Sequence, residues 1–304
     1  MNKVLIPAST KGLQLSTAVC APDSPKAVLV IAHGMVEHKE RYYPFMEYLA
    51  GKGIASVCPD LRGHGESAQS EEELGFFGKN GKEAIVNDVC GVLEWAGATF
   101  PGKKVFLLGH SMGALVVTCL IKKHDHLPDG VIVSGIPAKV AVAGLGSVLT
   151  RMIGLFKGKH YRSAFLANIA LGAYEKPFAK EGVKNAWLST NRENVDAYNK
   201  DPLCGFVFTA NGYTALMKLL VDCYSDKGWE VKNPSLPIHF ASGSQDPCTG
   251  GAKKFSKAVG HVRGRGYGRV SAKLYSGMRH EILNETGKED VWNDIDVVLE
   301  SWMQ

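Results

Sequence analysis

Short unbroken apolar runs alternate along this chain with longer stretches whose apolar residues recur every three or four positions. That alternation predicts a layered α/β protein. The run Ala-Val-Leu-Val-Ile-Ala at 27–32 reads as a strand covered on both faces. Further strands are predicted at 53–60, 105–110, 130–134, 237–242 and 270–275. Helical spacing is predicted over 42–52, 82–98, 112–122, 214–226, 252–259 and 288–303. Residues 13–20 alternate apolar and polar, the pattern of an edge strand. Strand–helix units of this length imply a mostly parallel central sheet with helices on both faces. Between 137 and 211 the rhythm stops, and the segment reads as helices broken by glycine. The predicted organisation is therefore an α/β core of residues 1–136 and 212–304, interrupted by a helical cap of residues 137–211.

The chemistry enters where the strand at 105–110 meets the helix at 112–122. Gly109-His110-Ser111-Met112-Gly113 is a G-x-S-x-G motif in the context of a nucleophile elbow, a turn that lifts a serine above the end of a parallel sheet. A serine hydroxyl is a poor nucleophile at neutral pH, so a base must take its proton as it attacks. The order nucleophile, acid, histidine, with each partner just after a later strand, picks out Asp246 and His280. Asp246 would hold the imidazole's tautomer and stabilise the imidazolium. Negative charge on the former carbonyl oxygen needs fixed donors, and the backbone amides of Met112 and Met35 are expected to supply them. Of the ten histidines, His239, His124, His126, His160 and His261 are read as structural or surface residues.

Composition adds boundaries rather than a function. Of 304 residues, 45% are hydrophobic and 21% charged, an ordinary globular balance. Seven scattered cysteines with no C-x-x-C pair suit reduced core residues in a reducing compartment. With no signal-peptide-like start and no run of membrane-spanning length, a cytoplasmic location is expected. The net charge of +5 is mild, and Arg263-Gly264-Arg265-Gly266-Tyr267-Gly268-Arg269 reads as a connecting loop, so no nucleic-acid partner is expected. Histidines and cysteines do not fall at metal-ligand spacings, and no phosphate-binding glycine loop occurs, so neither metal nor cofactor is expected. Oligomeric state is left open.

The motifs together resemble the monoacylglycerol lipase and lysophospholipase branch of the α/β-hydrolase superfamily. The resemblance is carried by His33-Gly34-Met35-Val36-Glu37-His38 with Arg41-Tyr42, by Asp60-Leu61-Arg62-Gly63-His64-Gly65-Glu66-Ser67, by the elbow, and by the acid and histidine loops. In the cap, Asp201-Pro202-Leu203-Cys204-Gly205-Phe206 is similar to bacterial members of that branch. The resemblance implies an α/β-hydrolase fold and a cofactor-free serine hydrolase acting on small lipid or ester substrates with medium or long acyl chains. It also implies that Glu37 and Arg41 bind the glycerol head, with a loop-pinning salt bridge as the competing reading. The chain departs from the mammalian pattern at Val36, where glycine is usual, and this is expected to narrow the mouth beside the oxyanion hole. The Arg62-Gly63-His64-Gly65 run is read as structural.

Three alternatives remain open: a carboxylesterase for small soluble esters, a perhydrolase or aminopeptidase with the same triad, and a binding protein on a hydrolase scaffold. An intact triad speaks against the last. In the cap no acidic residue falls between Asp129 and Glu175, while Lys139, Arg151, Lys157, Lys159 and Arg162 are interleaved with apolar residues. Peripheral membrane contact is one reading of that pattern. The favoured one is a cap with an apolar underside over Ser111 and a solvated basic outer face.

Overall fold

The computed structural model describes residues 1–304. Its strands are β1 (Asn2–Pro7), β2 (Gln14–Cys20), β3 (Ala27–Ala32), β4 (Ile54–Pro59), β5 (Lys104–His110), β6 (Gly130–Ser134), β7 (Ile238–Gly243) and β8 (Val270–Tyr275). They form one sheet in the order β1-β2-β4-β3-β5-β6-β7-β8, antiparallel at β1–β2 and β2–β4 and parallel from β4 to β8. The helices are α1 (Tyr43–Gly51), α2 (Gly81–Thr99), α3 (Met112–His124), α4 (Ala143–Lys157), α5 (Ala164–Glu175), α6 (Arg192–Lys200), α7 (Ala210–Cys223), α8 (Ala252–Arg263) and α9 (Lys288–Met303).

Alternation inside the apolar strands decides which layer each side chain joins. Val28, Val30 and Ala32 of β3 pack in the larger core with α2, α3, α7 and α8, whereas Ala27, Leu29 and Ile31 pack in the smaller one with α1 and α9. Both faces of the sheet are thus covered, as unbroken apolar runs require.

Two expectations at the N-terminal edge are corrected. β1 was not anticipated, because it is the true edge strand and buries only Ile6 fully. β2 is not the edge: it lies between β1 and β4, and its polar residues are buried. The Ser16 amide donates to Ser67 Oγ, Ser16 Oγ to Glu66, and Thr17 Oγ1 to the Leu15 carbonyl. Alternating polarity there marks satisfied hydroxyls rather than solvent.

Between β6 and β7 the chain leaves the sheet for α4, α5, a 3-10 segment at Lys176–Glu181, another at Ala186–Leu188, and α6. α4 corrects the favoured reading of the cap. Its small and polar face, Ala143, Gly146, Thr150 and Gly154, lies inward along α7, where Thr214 Oγ1 donates to Thr150 Oγ1 at 2.9 Å. Its apolar stripe at Leu145, Val148, Leu149, Met152, Leu155 and Phe156 faces solvent, with Leu145 73% and Phe156 82% exposed. The underside of the cap comes from α5 instead.

Candidate active site

Ser111 sits at φ 55°, ψ −113°, between β5 and the first turn of α3. A non-glycine residue held there costs roughly 1–3 kcal/mol, and the surroundings fix it. The Ser111 amide donates to the Ser134 carbonyl on β6 at 2.9 Å. The flanking glycines are required sterically: a Cβ on Gly113 would strike the Ala32 carbonyl, and one on Gly109 the Gly113 carbonyl. The turn packs backbone on backbone, so neither neighbour can move aside.

Asp246 and His280 meet although 34 residues separate them. The loop after β7 carries Asp246 and the loop after β8 carries His280, and His280 Nδ1 lies 2.9 Å from Asp246 Oδ2. The carboxylate also accepts from Thr249 Oγ1 at 2.8 Å, Ser242 Oγ at 3.1 Å and the Cys248 amide at 2.8 Å. Burial pushes its pKa up, but the His280 charge and these donors outweigh it and hold the carboxyl below its ordinary value. His280 shows the mirror balance: burial pushes it down, and the Asp246 charge and hydrogen bond lift it above the ordinary imidazole value. Its ring is packed between Trp187, 5.0 Å away, and His110, 4.7 Å away. Its Nε2 is buried with no hydrogen-bond partner.

Ser111 and His280 line the same cavity. Fourteen of its 21 lining residues are hydrophobic, so it suits a hydrocarbon-rich ligand. Helix α3 supplies Leu115, α5 supplies Leu171 and Tyr174, and α7 supplies Leu216 and Leu220. Met35 and Met112, the expected oxyanion donors, both line it near Ser111. The Met35 amide donates to no acceptor within the protein.

The loop bearing Met35 is built on special backbone. Val36 lies at φ 51°, an outlying conformation for a β-branched residue, and its side chain lines the cavity. Its carbonyl is held from the cap by the Gly205 amide at 2.9 Å and Tyr198 Oη at 3.1 Å. His33 ties the same loop to the one after β4: its Nε2 accepts from the Leu61 amide, which makes Nδ1 the donor to the Gly34 carbonyl. Arg62 pairs with Asp88 and lies away from the cavity, in keeping with a structural role.

Glu37 and Arg41 do not share one surface. Glu37 lines the cavity, accepting from the Gly34 amide at 2.5 Å and Tyr42 Oη at 2.9 Å. Arg41 lies behind the wall and donates to Glu37, to Asn194 and, through both terminal nitrogens, to Glu281 at 2.5 and 2.7 Å. The loop-pinning salt bridge is therefore formed. Sequence reasoning missed Glu281, which lines the cavity next to His280; its only signal was a carboxylate directly beside the candidate base. It also missed Trp187, which no local pattern relates to His280.

Folding gathers two groups that could ligate a metal, His38–Asp201–Cys204 and Asp246–Cys248–His280, by bringing a histidine distant in sequence to a neighbouring aspartate and cysteine. In both, the carboxylate already pairs with the imidazole, and burial pushes the thiol up, away from the thiolate a metal needs. The donor sets fit internal hydrogen bonding better than ligation. All seven cysteines are free, and Cys20 alone is not fully buried.

Comparison with known proteins supports the same frame. The model of the family described as serine aminopeptidase S33 matches residues 23–287. The chain is 24% identical to a monoacylglycerol lipase of Mycolicibacterium smegmatis over 95% of this chain and 93% of that protein. It is 29% identical to human monoglyceride lipase over 59% of this chain and 53% of that one, about half its length. A carboxyl esterase from Bacillus coagulans superposes with a TM-score of 0.91 at 19% identity, covering 100% of this chain and 99% of the other. The chain belongs to the serine aminopeptidase S33 family, and its fold is that of the α/β-hydrolases.

Proposed function

We propose that this hydrolase cleaves carboxylic esters with medium or long acyl chains, of the monoacylglycerol or lysophospholipid kind, through an acyl-enzyme on Ser111. One observation carries the reading: the buried Asp246–His280 pair ends on an unpartnered Nε2 in the same largely apolar cavity as Ser111. His280 Nε2 takes the Ser111 proton as Oγ attacks the ester carbonyl, then passes it to the departing alcohol. Water attacks the acyl-enzyme with His280 again as base, releasing the acid and restoring the serine. Asp246 keeps Nδ1 protonated and balances the imidazolium. The amides of Met35 and Met112 hold the oxyanion; losing one such donor costs about 2.7–4 kcal/mol of transition-state stabilisation. The names of the relatives, lipases and an esterase, agree with this chemistry.

The reading extends to location and surface. Residues 137–211 act as the cap, and the solvent-facing stripe of α4, flanked by Arg151, Lys157 and Lys159, favours peripheral contact with an anionic lipid surface. No helix is long and apolar enough to cross a membrane. The free cysteines support the reducing setting of a cytoplasm.

The decisive test is Ser111→Ala. Hydrolysis of p-nitrophenyl esters is expected to fall by on the order of 10⁴-fold or more, and fluorophosphonate labelling to vanish, with the thermal melt retained. A variant that keeps its folded melt and still turns over ester at the parent rate overturns the mechanism.

A further inference from the structure

Two glutamates line the cavity, and the arginine that pairs with both of them does not. Glu37 and Glu281 are both in the wall and buried, 3% and 4% exposed, while Arg41 reaches them from behind. Their formal charges leave one negative charge uncompensated at that end of the site. The other titratable groups nearby do not cancel it. Burial and the neighbouring His280 hold His110 down at about 4, so it is neutral near pH 7. His280 must be neutral to act as a base, and Asp246 behind it is anionic. Burial pushes Glu281 up, but the Arg41 charge and hydrogen bonds, with Asn194, outweigh that and keep it ionised.

The rest of the wall is mostly hydrocarbon. Leu115, Leu171, Leu216 and Leu220 offer hydrocarbon surface suited to an acyl chain, so the acidic end is left for the alcohol. We propose that Glu281, with Glu37, makes the alcohol end of the cavity electronegative, so that the enzyme favours esters of cationic amino alcohols over esters of neutral polyols and rejects alcohols carrying phosphate or carboxylate. The inference rests on reading the cavity as an ester site. Charges in a poorly hydrated wall are weakly screened, and their effect on a charged ligand exceeds that of surface carboxylates. Trp187 and Tyr174, also in the wall, add aromatic faces that attract a cation.

The test uses decanoyl esters of choline, glycerol and glycerol 3-phosphate below their micelle concentrations. The quantity read is kcat/KM, which reports formation of the acyl-enzyme; the later hydrolysis is common to all three esters. The choline ester is expected to exceed the phosphate ester by at least about tenfold, with the glycerol ester between them. Glu281→Gln is expected to narrow the choline-to-phosphate ratio by about tenfold. Each ratio is taken within one preparation, so any unfolded fraction cancels. Equal kcat/KM for all three, or a ratio unmoved by Glu281→Gln, overturns the charge selection while leaving the ester reading intact. Parent enzyme that hydrolyses none of the three sinks both.

Discussion

Asp246 keeps its charge although it is buried, and that charge lifts the pKa of His280, the base of the proposed mechanism. In the proposed mechanism His280 must be neutral to accept the serine proton. Because Asp246 lifts its pKa, activity is lost on acidification at a pH above the ordinary imidazole value of about 6.5. The acidic limb of kcat/KM against pH is therefore expected above that value. Asp246→Asn removes the lifting charge but leaves the burial that pushes the other way, so the limb moves to lower pH. The rate also falls by up to about 10⁴-fold, because the wrong tautomer is then favoured. A limb that stays in place in the variant would show that Asp246 does not govern the imidazole. The same scale explains Val36: a valine held at φ 51° persists because two cap donors grip its carbonyl. The strain of the loop bearing Met35 is thus offset by contacts from Tyr198 and Gly205.

At the scale of elements, α4 shows how periodicity can identify a helix and still mislead about its orientation. Its apolar residues recur with helical spacing, which normally marks the buried face. Here the opposite face is small enough to approach α7 closely: a Cβ on Gly154 would lie 3.5 Å from the Ala210 Cβ, and one on Gly146 3.3 Å from Met217 Sδ. Close approach buries the small face and leaves the large apolar one outside. If that stripe meets lipid, replacing Leu155 and Phe156 by aspartate lowers retention on anionic phospholipid vesicles by about tenfold or more. Hydrolysis of a soluble ester should not change, since neither residue lines the cavity. Undiminished retention in a flotation assay would rule the contact out. By contrast, α9 runs over the expected 288–303, and β6 over the expected 130–134. In β6 every apolar residue is buried, and in α9 Val291, Trp292, Ile295, Leu299 and Trp302 are, although Val297 faces solvent, so pattern and burial largely coincide.

At the scale of the molecule, the cavity is made by loops after β3, β5, β7 and β8 together with α3, α5 and α7. A site lined mostly by apolar residues should gain from each added methylene, by about 0.8 kcal/mol where it is fully buried. Catalytic efficiency is expected to climb severalfold or more per pair of methylenes from acetyl toward decanoyl esters. A flat series would favour the small-ester alternative. How much of this was legible beforehand follows from the physics of each feature. Ser111, Asp246 and His280 could be picked out because each follows a strand that local pattern reveals, and parallel strands deliver their carboxyl ends to one edge. Glu37 was visible as a candidate, but its sharing of Arg41 with Glu281 was not, because that pairing spans 240 residues.

The sequence by itself determined the α/β layering, the elbow and the order of the candidate triad, because strand runs, helical spacing and glycine requirements act over a few neighbouring residues. Tertiary structure alone decided that β2 lies inside the sheet, that α4 turns its apolar stripe to solvent, and that Glu37 and Glu281 but not Arg41 line the cavity. Those outcomes depend on which distant surfaces approach closely enough to exclude water and pair charge. No local pattern encodes that choice.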